Sequence, residues 1–237
     1  MRVDVNADLG EDRGRWEAGE DRRLLRLITS ANVGCGAYAG DDDLIRETCA
    51  EAVAAGVAIG AQVGYRDREG FGRRPMDLPP RDLEAEVRHQ IDHLGELAGE
   101  VGGIVTYVKT HGALYHRIHH DEAQAAAVVE ALLEDGTPLA LVGLPGSLAL
   151  QFAEDEGIDV VHEGFADRAY APDGGLVPRD RPGALLTDPA EAAAQAVALA
   201  GAVDSICVHS DSPGAADLLI AVRAALDARA VDVRAFA

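Results

Sequence analysis

Lysine is nearly absent from this chain of 237 residues, in which a single lysine stands among 21 basic residues and 41 acidic ones. The formal net charge of −20 repels phosphate groups, so we expect neither a nucleic acid nor an anionic membrane surface as a partner. The sequence also lacks any apolar run near the roughly 20 residues that cross a bilayer. These absences remove nucleic-acid binding and membrane insertion from the functions we expect.

Cysteine is scarce as well. The three cysteines, Cys35, Cys49 and Cys207, lie far apart and show no C-x-x-C spacing. An odd number of widely separated cysteines is typical of reduced thiols in the cytosol. The first residues alternate between polar and apolar types and do not resemble a secretory signal. We therefore expect a cytoplasmic protein.

Apolar residues, by contrast, make up 48% of the chain, which is enough to bury a large core. No linker, repeat or low-complexity segment divides the sequence. A length of 237 residues fits one of the larger single-core domains. We therefore expect one domain over residues 1–237.

Short apolar runs, rich in β-branched residues, alternate along the chain with segments of helical period. The runs predict strands at residues 2–7, 30–34, 57–61, 104–108, 138–142, 158–162, 204–208 and 231–235. Periodicity and capping residues predict helices at residues 42–55, 80–101, 122–134, 190–201 and 214–228, and a further one opening at Ser147. This alternation indicates parallel strands with crossover helices, in a closed barrel or a doubly wound sheet.

Polar side chains follow most of the predicted strands. The carboxyl ends of parallel strands meet in one crevice, so residues at those ends are brought together. In chain order these are Asn6, Asp8, Asn32, Tyr38, Gln62, Lys109, His111, Glu163, His209 and Asp211. A barrel that only supports itself does not need so many titratable groups, and the pattern therefore favours an enzyme.

The spacing of these groups leaves their chemistry open. Asp8, His111, Glu163, His209 and Asp211 can bind a divalent metal or act as general acid and base without one, and we assign no metal ligand from the sequence. The sequence contains no P-loop, no Rossmann fingerprint and no nucleophile elbow. The chain therefore carries no recognisable ATP site.

The lone lysine, Lys109, stands two residues before His111 at a strand end. An ammonium group is a compact charge whose pKa falls when it is partly buried, whereas a guanidinium stays charged. We therefore expect a specific role for Lys109, in which a pKa that can fall on partial burial lets it stabilise an oxyanion or transfer a proton. Two long connections, 62–79 and 164–187, are rich in glycine and arginine, which suits the binding of a small anion.

Seven motifs occur in order over essentially the whole chain. They are NADLGE (6–11), SANVGCG (30–36) with GD (40–41), GYRD (64–67) with GFGRR (70–74), VKTHGALY (108–115), EGFADRAY (163–170), LVPR (176–179) and CVHSD (207–211). In these motifs the chain resembles the LamB/YcsF family. The resemblance implies a TIM-like β/α barrel of seven or eight parallel strands, related to the barrels of polysaccharide deacetylases.

The same resemblance implies a hydrolase that acts on a cyclic amide, as the A subunit of an ATP-dependent 5-oxoprolinase. Such an enzyme opens 5-oxo-L-proline to L-glutamate together with its B and C subunits as partners. A lactam is a poor electrophile, and we expect ATP to activate it on one of these partners because this chain lacks an ATP cradle. A divalent metal is left open.

The resemblance also suggests roles for individual residues. Asp8 or Glu163 is expected to act as the base for water, and Lys109 with His111 to stabilise the oxyanion or a leaving phosphate. His209 and Asp211 are expected to relay a proton. The expected substrate-binding residues are Asn6, Asn32, Tyr38 and Gln62, with Arg73, Arg74, Arg168 and Arg179 as candidates for the substrate carboxylate.

The chain departs from the family pattern at two strand ends. Where that pattern has histidines, this chain has Tyr38 and Gln62, which cannot replace an imidazole at neutral pH. Three alternatives therefore stand beside the main interpretation: a changed substrate, a metal-dependent amidohydrolase or deacetylase, and a non-catalytic partner that only binds 5-oxoproline.

Overall fold

Seven parallel strands close into a barrel in the computed structural model, which describes residues 1–134, 138–172 and 174–236. β1 pairs with both β2 and β7, which closes the ring. A short β8 (Asp232–Val233) pairs with the beginning of β1. The barrel strands are β1 (Arg2–Leu9), β2 (Ser30–Gly34), β3 (Ala58–Val63), β4 (Val105–Thr110), β5 (Ala140–Gly143), β6 (Val160–Phe165) and β7 (Ser205–Cys207). The predicted TIM-like barrel is thus confirmed, with seven strands in the closed ring.

Helices connect the strands around the outside of the barrel. They are α1 (Arg13–Glu17), α2 (Glu20–Leu25), α3 (Asp42–Ala55), α4 (Pro80–Glu100), α5 (Gly112–Arg117), α6 (Glu122–Glu134), α7 (Leu148–Asp155), α8 (Pro189–Leu199) and α9 (Ala215–Ala228). The predicted helices are confirmed within one or two residues at each end. The sequence pattern missed α1, α2 and α5, because five or six residues are too few to show a helical period. None of the helices in the described ranges is long and apolar enough to cross a membrane.

β1 shows how the sequence determines the two faces of the barrel wall. Its apolar residues, Val3, Val5, Ala7 and Leu9, belong to the large hydrophobic core beneath the helices. The alternating residues Asp4, Asn6 and Asp8 are also buried and make hydrogen bonds to side chains of other strands. Successive side chains of a strand point to opposite faces, so these three share the inner face. The barrel interior is therefore polar, which is unusual for a packed barrel core.

Tyr107 of β4 fills part of this interior. Its side chain is fully buried, and its hydroxyl donates a hydrogen bond to Asn32 Oδ1 at 2.8 Å. The ring packs against Gly60 on the neighbouring strand β3, where a Cβ atom would lie 2.0 Å from the ring. Glycine at position 60 therefore leaves the space that the Tyr107 ring occupies.

We predict that Gly60→Ala destabilises the protein by about 3 kcal/mol, since the added methyl group would displace the Tyr107 ring from a close-packed interior. Gly95→Ala is the matched control, because nothing lies within 4 Å of that position on the exposed face of α4. This change should raise the free energy of unfolding by about 0.5–1 kcal/mol, because alanine is more favourable than glycine in the interior of a helix. Urea denaturation of both variants measures the free energies, and equal stability of the two would contradict the packing argument.

Candidate active site

A small, partly open cavity lies at the carboxyl ends of the barrel strands. Many of the residues predicted from the strand ends and the long connections lie on its wall. Its lining residues are Asp8, Gln62, Arg73, Lys109, Thr110, His111, Gly112, Tyr115, His116, Phe165, Arg168, Leu176, Arg179 and His209. The structure thus brings Asp8, Lys109, His111 and His209 together with three of the four candidate arginines.

Asn6, Asn32 and Glu163 lie in the barrel interior and are not part of the cavity wall. Asn6 Nδ2 donates to Glu163 Oε1 at 2.9 Å and to the Ser205 hydroxyl at 2.7 Å. Asn6 Oδ1 accepts from Asn32 Nδ2 at 2.7 Å and from Lys109 Nζ at 3.2 Å. Both donor hydrogens and both acceptor positions of Asn6 are used within the protein, so it has none left for a substrate.

Lys109 is buried between carboxylates. Its Nζ lies 2.6 Å from Glu163 Oε1 and 3.6 Å from Asp8 Oδ1. Burial alone would lower its pKa, but the neighbouring Cys207, Glu163 and Asp8 raise the pKa well above the usual value of a lysine. The suggested fall of this pKa on burial is therefore wrong, because carboxylates from two other strands hold the ammonium in its charged form.

Asp8 is the carboxylate of this group that reaches the cavity. It accepts a hydrogen bond from Asn32 Nδ2 at 2.8 Å. Burial would raise its pKa, but the neighbouring Lys109, His209 and His111 outweigh burial and lower the pKa below the usual range. Asp8 is therefore an ionised acceptor on the cavity wall.

His111, Tyr38 and Glu11 form a second group beside Asp8. His111 Nε2 lies 3.0 Å from the carbonyl oxygen of Phe71, which can only accept, so Nε2 carries the hydrogen. Burial lowers the pKa of His111 to about 4, so the ring is neutral and its Nδ1 is an acceptor. This Nδ1 faces Glu11 Oε1 at 3.7 Å.

Tyr38 covers this group from one side. Its ring stacks on His111 with 4.0 Å between ring centroids, and its hydroxyl lies 2.8 Å from both Glu11 Oε1 and Gln62 Oε1. Burial and the nearby Asp8 raise the pKa of Glu11 well above its usual value. The donor atoms of Asp8, Glu11 and His111 all lie within 4.8 Å of one another, so these three residues can hold a metal ion.

His209 pairs with Asp167 at the end of β7. Its Nδ1 lies 3.1 Å from both carboxylate oxygens of Asp167, and the Ser212 hydroxyl donates to the same carboxylate. Burial would raise the pKa of Asp167, but His209 and Ser212 lower it below the usual value. An ionised Asp167 fixes the hydrogen of His209 on Nδ1 and leaves Nε2 as the proton acceptor.

The expected partner of His209, Asp211, instead binds two arginines. Arg73 and Arg179 both contact its carboxylate, Arg179 Nη1 at 3.1 Å from Oδ2. Burial would raise the pKa of Asp211, but Arg179 and Arg73 lower it. The relay predicted between His209 and Asp211 is therefore replaced by the pair of His209 and Asp167.

The four arginines that were candidates for a substrate carboxylate divide into two groups. Arg73, Arg168 and Arg179 line the cavity. Arg168 is 2% exposed, and its Nε has no hydrogen-bond partner among the described residues. Arg74 does not line the cavity, because its largely exposed side chain binds Asp67 and Glu69 on the surface.

Glu11 and Asp167 are the two site residues to which the sequence assigned no role. Both belong to the motifs, and both follow a barrel strand. Asp167 stands two residues after the end of β6, which runs to Phe165 and not to residue 162 as predicted. The strand-end argument would have found Asp167 if the boundary of this strand had been placed correctly.

Fold and site together define a β/α-barrel protein with a polar interior that opens into a cavity rich in acid, base and arginine groups. The sequence pattern described as the LamB/YcsF family matches residues 3–237. The chain belongs to the LamB/YcsF family, as its motifs predicted.

Two relatives illustrate the similarity. The chain is 51% identical to a Streptomyces avermitilis protein named as the A subunit of 5-oxoprolinase, over 99% of this chain and 100% of the relative. It is 48% identical to a protein of the same name from Paracidovorax citrulli, over 100% of both.

Solved structures share the fold. A lactam utilization protein from Thermus thermophilus has a TM-score of 0.92 and 39% identity, with 100% of both chains covered. A family 4 carbohydrate esterase from Streptomyces lividans, in complex with acetate, has a TM-score of 0.56 at 12% identity, over 100% of this chain and 93% of that one. The second comparison shows a shared fold alone.

We predict that Lys109→Met destabilises the protein by about 3–5 kcal/mol, because it leaves the buried carboxylates of Glu163 and Asp8 without their cation. Adding Glu163→Gln should recover much of this loss, since it removes one of the two unpaired charges. Urea denaturation at neutral pH measures both free energies. A double variant no more stable than Lys109→Met alone would contradict the assignment of this ion pair.

Proposed function

We propose that this chain is the A subunit of an ATP-dependent 5-oxoprolinase, which opens 5-oxo-L-proline to L-glutamate in a complex with its B and C subunits. The observation that carries the proposal is the cavity itself, which places a histidine oriented by Asp167 beside a buried arginine with an unpartnered N–H group. The names of the close relatives support the same function.

The arginines of the cavity wall select an anionic substrate. Asp211 is shared by Arg73 and Arg179, while Arg168 keeps an Nε hydrogen without an acceptor among the described residues. A buried N–H group without an acceptor costs free energy, which a carboxylate would recover on binding. We assign the substrate carboxylate to this side of the cavity, with Arg168 as its principal contact.

His209 is the base that activates water. Asp8 faces the same cavity, but its lowered pKa makes it a weak base, so we give it the task of orienting the water. Glu163 is not a base in this scheme, since Lys109, Asn6 and Tyr115 occupy its two oxygens. The water oxygen bonds to the lactam carbonyl carbon, the carbon–nitrogen bond breaks, and the ring nitrogen takes the proton that His209 accepted.

Charge develops on the lactam oxygen as water adds. Lys109 lines the cavity and holds its full charge, so we assign the stabilisation of this negative charge to its ammonium. Glu163, Asn6 and Cys207 accept its three hydrogens, so Lys109 acts through its charge and not through a free N–H group. His111 is neutral and donates its only hydrogen to Phe71, which argues against the oxyanion role first suggested for it.

In this proposal a partner subunit transfers the terminal phosphoryl group of ATP to the lactam oxygen and releases ADP. After the ring has opened, a second water removes the phosphoryl group as inorganic phosphate, which leaves L-glutamate.

The test is reconstitution from purified subunits. With ATP, 5-oxo-L-proline and the B and C subunits, we expect stoichiometric formation of L-glutamate and ADP, whereas the isolated chain forms neither. Robust ATP-dependent turnover by the chain alone would contradict the division of labour. Binding of 5-oxo-L-proline without turnover in the full complex would favour a non-catalytic binding role.

Asp167→Asn tests, in the same assay, whether His209 is the base. An amide at this position holds His209 in the wrong tautomer without removing its side chain, so we expect kcat to fall on the order of 10³–10⁴-fold with little change in KM. Exposed Asp180→Asn, placed outside the cavity, should leave both constants unchanged. Full activity of Asp167→Asn would remove His209 as the base.

A metal-dependent amidohydrolase is the second candidate, favoured by the convergence of Asp8, Glu11 and His111. A metal held there would act as a Lewis acid at the cavity, and the nitrogen and oxygen donors suit a first-row transition ion. The three residues fit such an ion, since Phe71 fixes the His111 tautomer that presents Nδ1.

Metal analysis of the untagged protein separates the two candidates. The second candidate predicts one Zn²⁺ or Mn²⁺ per chain, lost in Glu11→Gln and retained in a variant lacking the surface pair His89 and His93, whose rings lie 6.1 Å apart. Metal lost with that surface pair would be adventitious and would count against this candidate.

Compartment and domain organisation belong to the same proposal. Cys35, Cys49 and Cys207 are buried free thiols, which supports a reducing, cytoplasmic location. One domain over residues 1–237 is supported by a barrel in which the first and seventh strands pair. No nucleic acid or membrane has a place in this function.

A further inference from the structure

A continuous chain of hydrogen bonds runs through the barrel interior to the active-site lysine. It begins at Asp4, four residues before Asp8 on the inner face of β1. Three hydroxyl groups donate to the Asp4 carboxylate: Thr29 at 2.5 Å, Ser30 at 2.6 Å and Ser205. Burial raises the pKa of Asp4, and these three hydroxyls oppose the rise.

Ser205 connects this carboxylate to the site. It stands beside Asp4 on β1 and beside Glu163 on β6, because β7 lies between those two strands. A serine hydroxyl has one hydrogen, and here Asp4 takes it. The Ser205 oxygen is therefore left as an acceptor, and Asn6 Nδ2 donates to it at 2.7 Å.

The direction of the Ser205 hydroxyl determines how the Asn6 side-chain amide is oriented. With Ser205 and Glu163 as acceptors for its two N–H hydrogens, Asn6 must turn its oxygen the other way, towards Lys109 Nζ at 3.2 Å. The same oxygen accepts from Asn32, which also donates to Asp8. A reversed Asn6 amide would point N–H groups at an ammonium, which is repulsive in a buried interior.

We propose that Asp4 is a positioning residue of the active site, acting through Ser205 and Asn6 to hold the Lys109 ammonium in place beneath the cavity. Asn6 and Asn32, which the sequence suggested as substrate-binding residues, belong to this chain of positioning contacts. Asp4 is 1% exposed and lies outside the cavity wall. Its effect on turnover therefore passes through the network alone.

The barrel supplies a matched pair of variants. Ser205 and Ser30 are both fully buried, both donate to Asp4, and they flank β1 on β7 and β2. Only Ser205 also accepts from Asn6. Ser205→Ala and Ser30→Ala therefore remove the same chemical group from the same carboxylate, but only the first interrupts the path to Lys109.

The experiment measures kcat and KM in the reconstituted complex, per folded molecule, with the melting temperature of each variant. Ser205→Ala should lower kcat by about tenfold or more without changing KM, because Lys109 loses the Asn6 contact that holds it in place. Ser30→Ala should stay within about twofold of the wild type at a similar loss of stability. Equal losses in the two variants, or no loss in Ser205→Ala, would overturn the positioning role.

The kinetic test rests on the proposed function. A second measurement therefore tests the hydrogen-bond network without depending on turnover. The side-chain amide signals of Asn6 and Asn32 in ¹⁵N-labelled protein should be single and sharp in the wild type and in Ser30→Ala. In Ser205→Ala those of Asn6 should double or broaden, because the amide gains a second orientation. Signals as sharp as those of Ser30→Ala would overturn the proposal, whereas a complex without turnover beside the expected spectra would count only against the proposed function.

Discussion

The buried contact between Lys109 and the carboxylates of Glu163 and Asp8 is the interaction on which the site depends. Three strands, β4, β6 and β1, each contribute one charged group, and none is tolerable in the interior without the others. Asn6, Asn32 and Tyr115 donate further hydrogen bonds to the two carboxylates. An apolar interior would be the simpler way to stabilise a barrel, so this polar one indicates that the core is built around the chemistry at its open end.

The two departures from the family pattern meet in one contact. Tyr38 and Gln62 lie 2.8 Å apart, although 24 residues separate them in the chain. The Tyr38 hydroxyl also reaches Glu11, and its ring covers His111. A change at one of these positions therefore alters the surroundings of the other. The Asp8, Glu11 and His111 group lies beside this pair.

The sequence predicted the fold well because hydrophobic periodicity and the alternation of strands and helices can be read from residues that lie close together in the chain. Alternating strands and helices indicated the parallel barrel, and the strand-end argument placed Asp8, Lys109, His111 and His209 on one cavity wall. What it missed depends on distances between strands. Partial burial suggested that the pKa of Lys109 can fall, but the sequence did not reveal Glu163, which lies far away in the chain, as its closest partner. His209 was paired with its sequence neighbour Asp211 instead of Asp167. Only the closed barrel brings these partners together.

The strongly acidic chain and an anionic substrate are compatible because electrostatic interactions are local at physiological ionic strength. Charges separated by more than about 8 Å in solvent are largely screened. The net charge of −20 therefore acts on solubility and on polyanions, while in the proposed function the three arginines that line the cavity act on the substrate. Asp211 draws Arg73 and Arg179 together and leaves Arg168 buried beside them with a hydrogen to donate. One carboxylate completes this arrangement, which suits a small monocarboxylic substrate better than a polyanion.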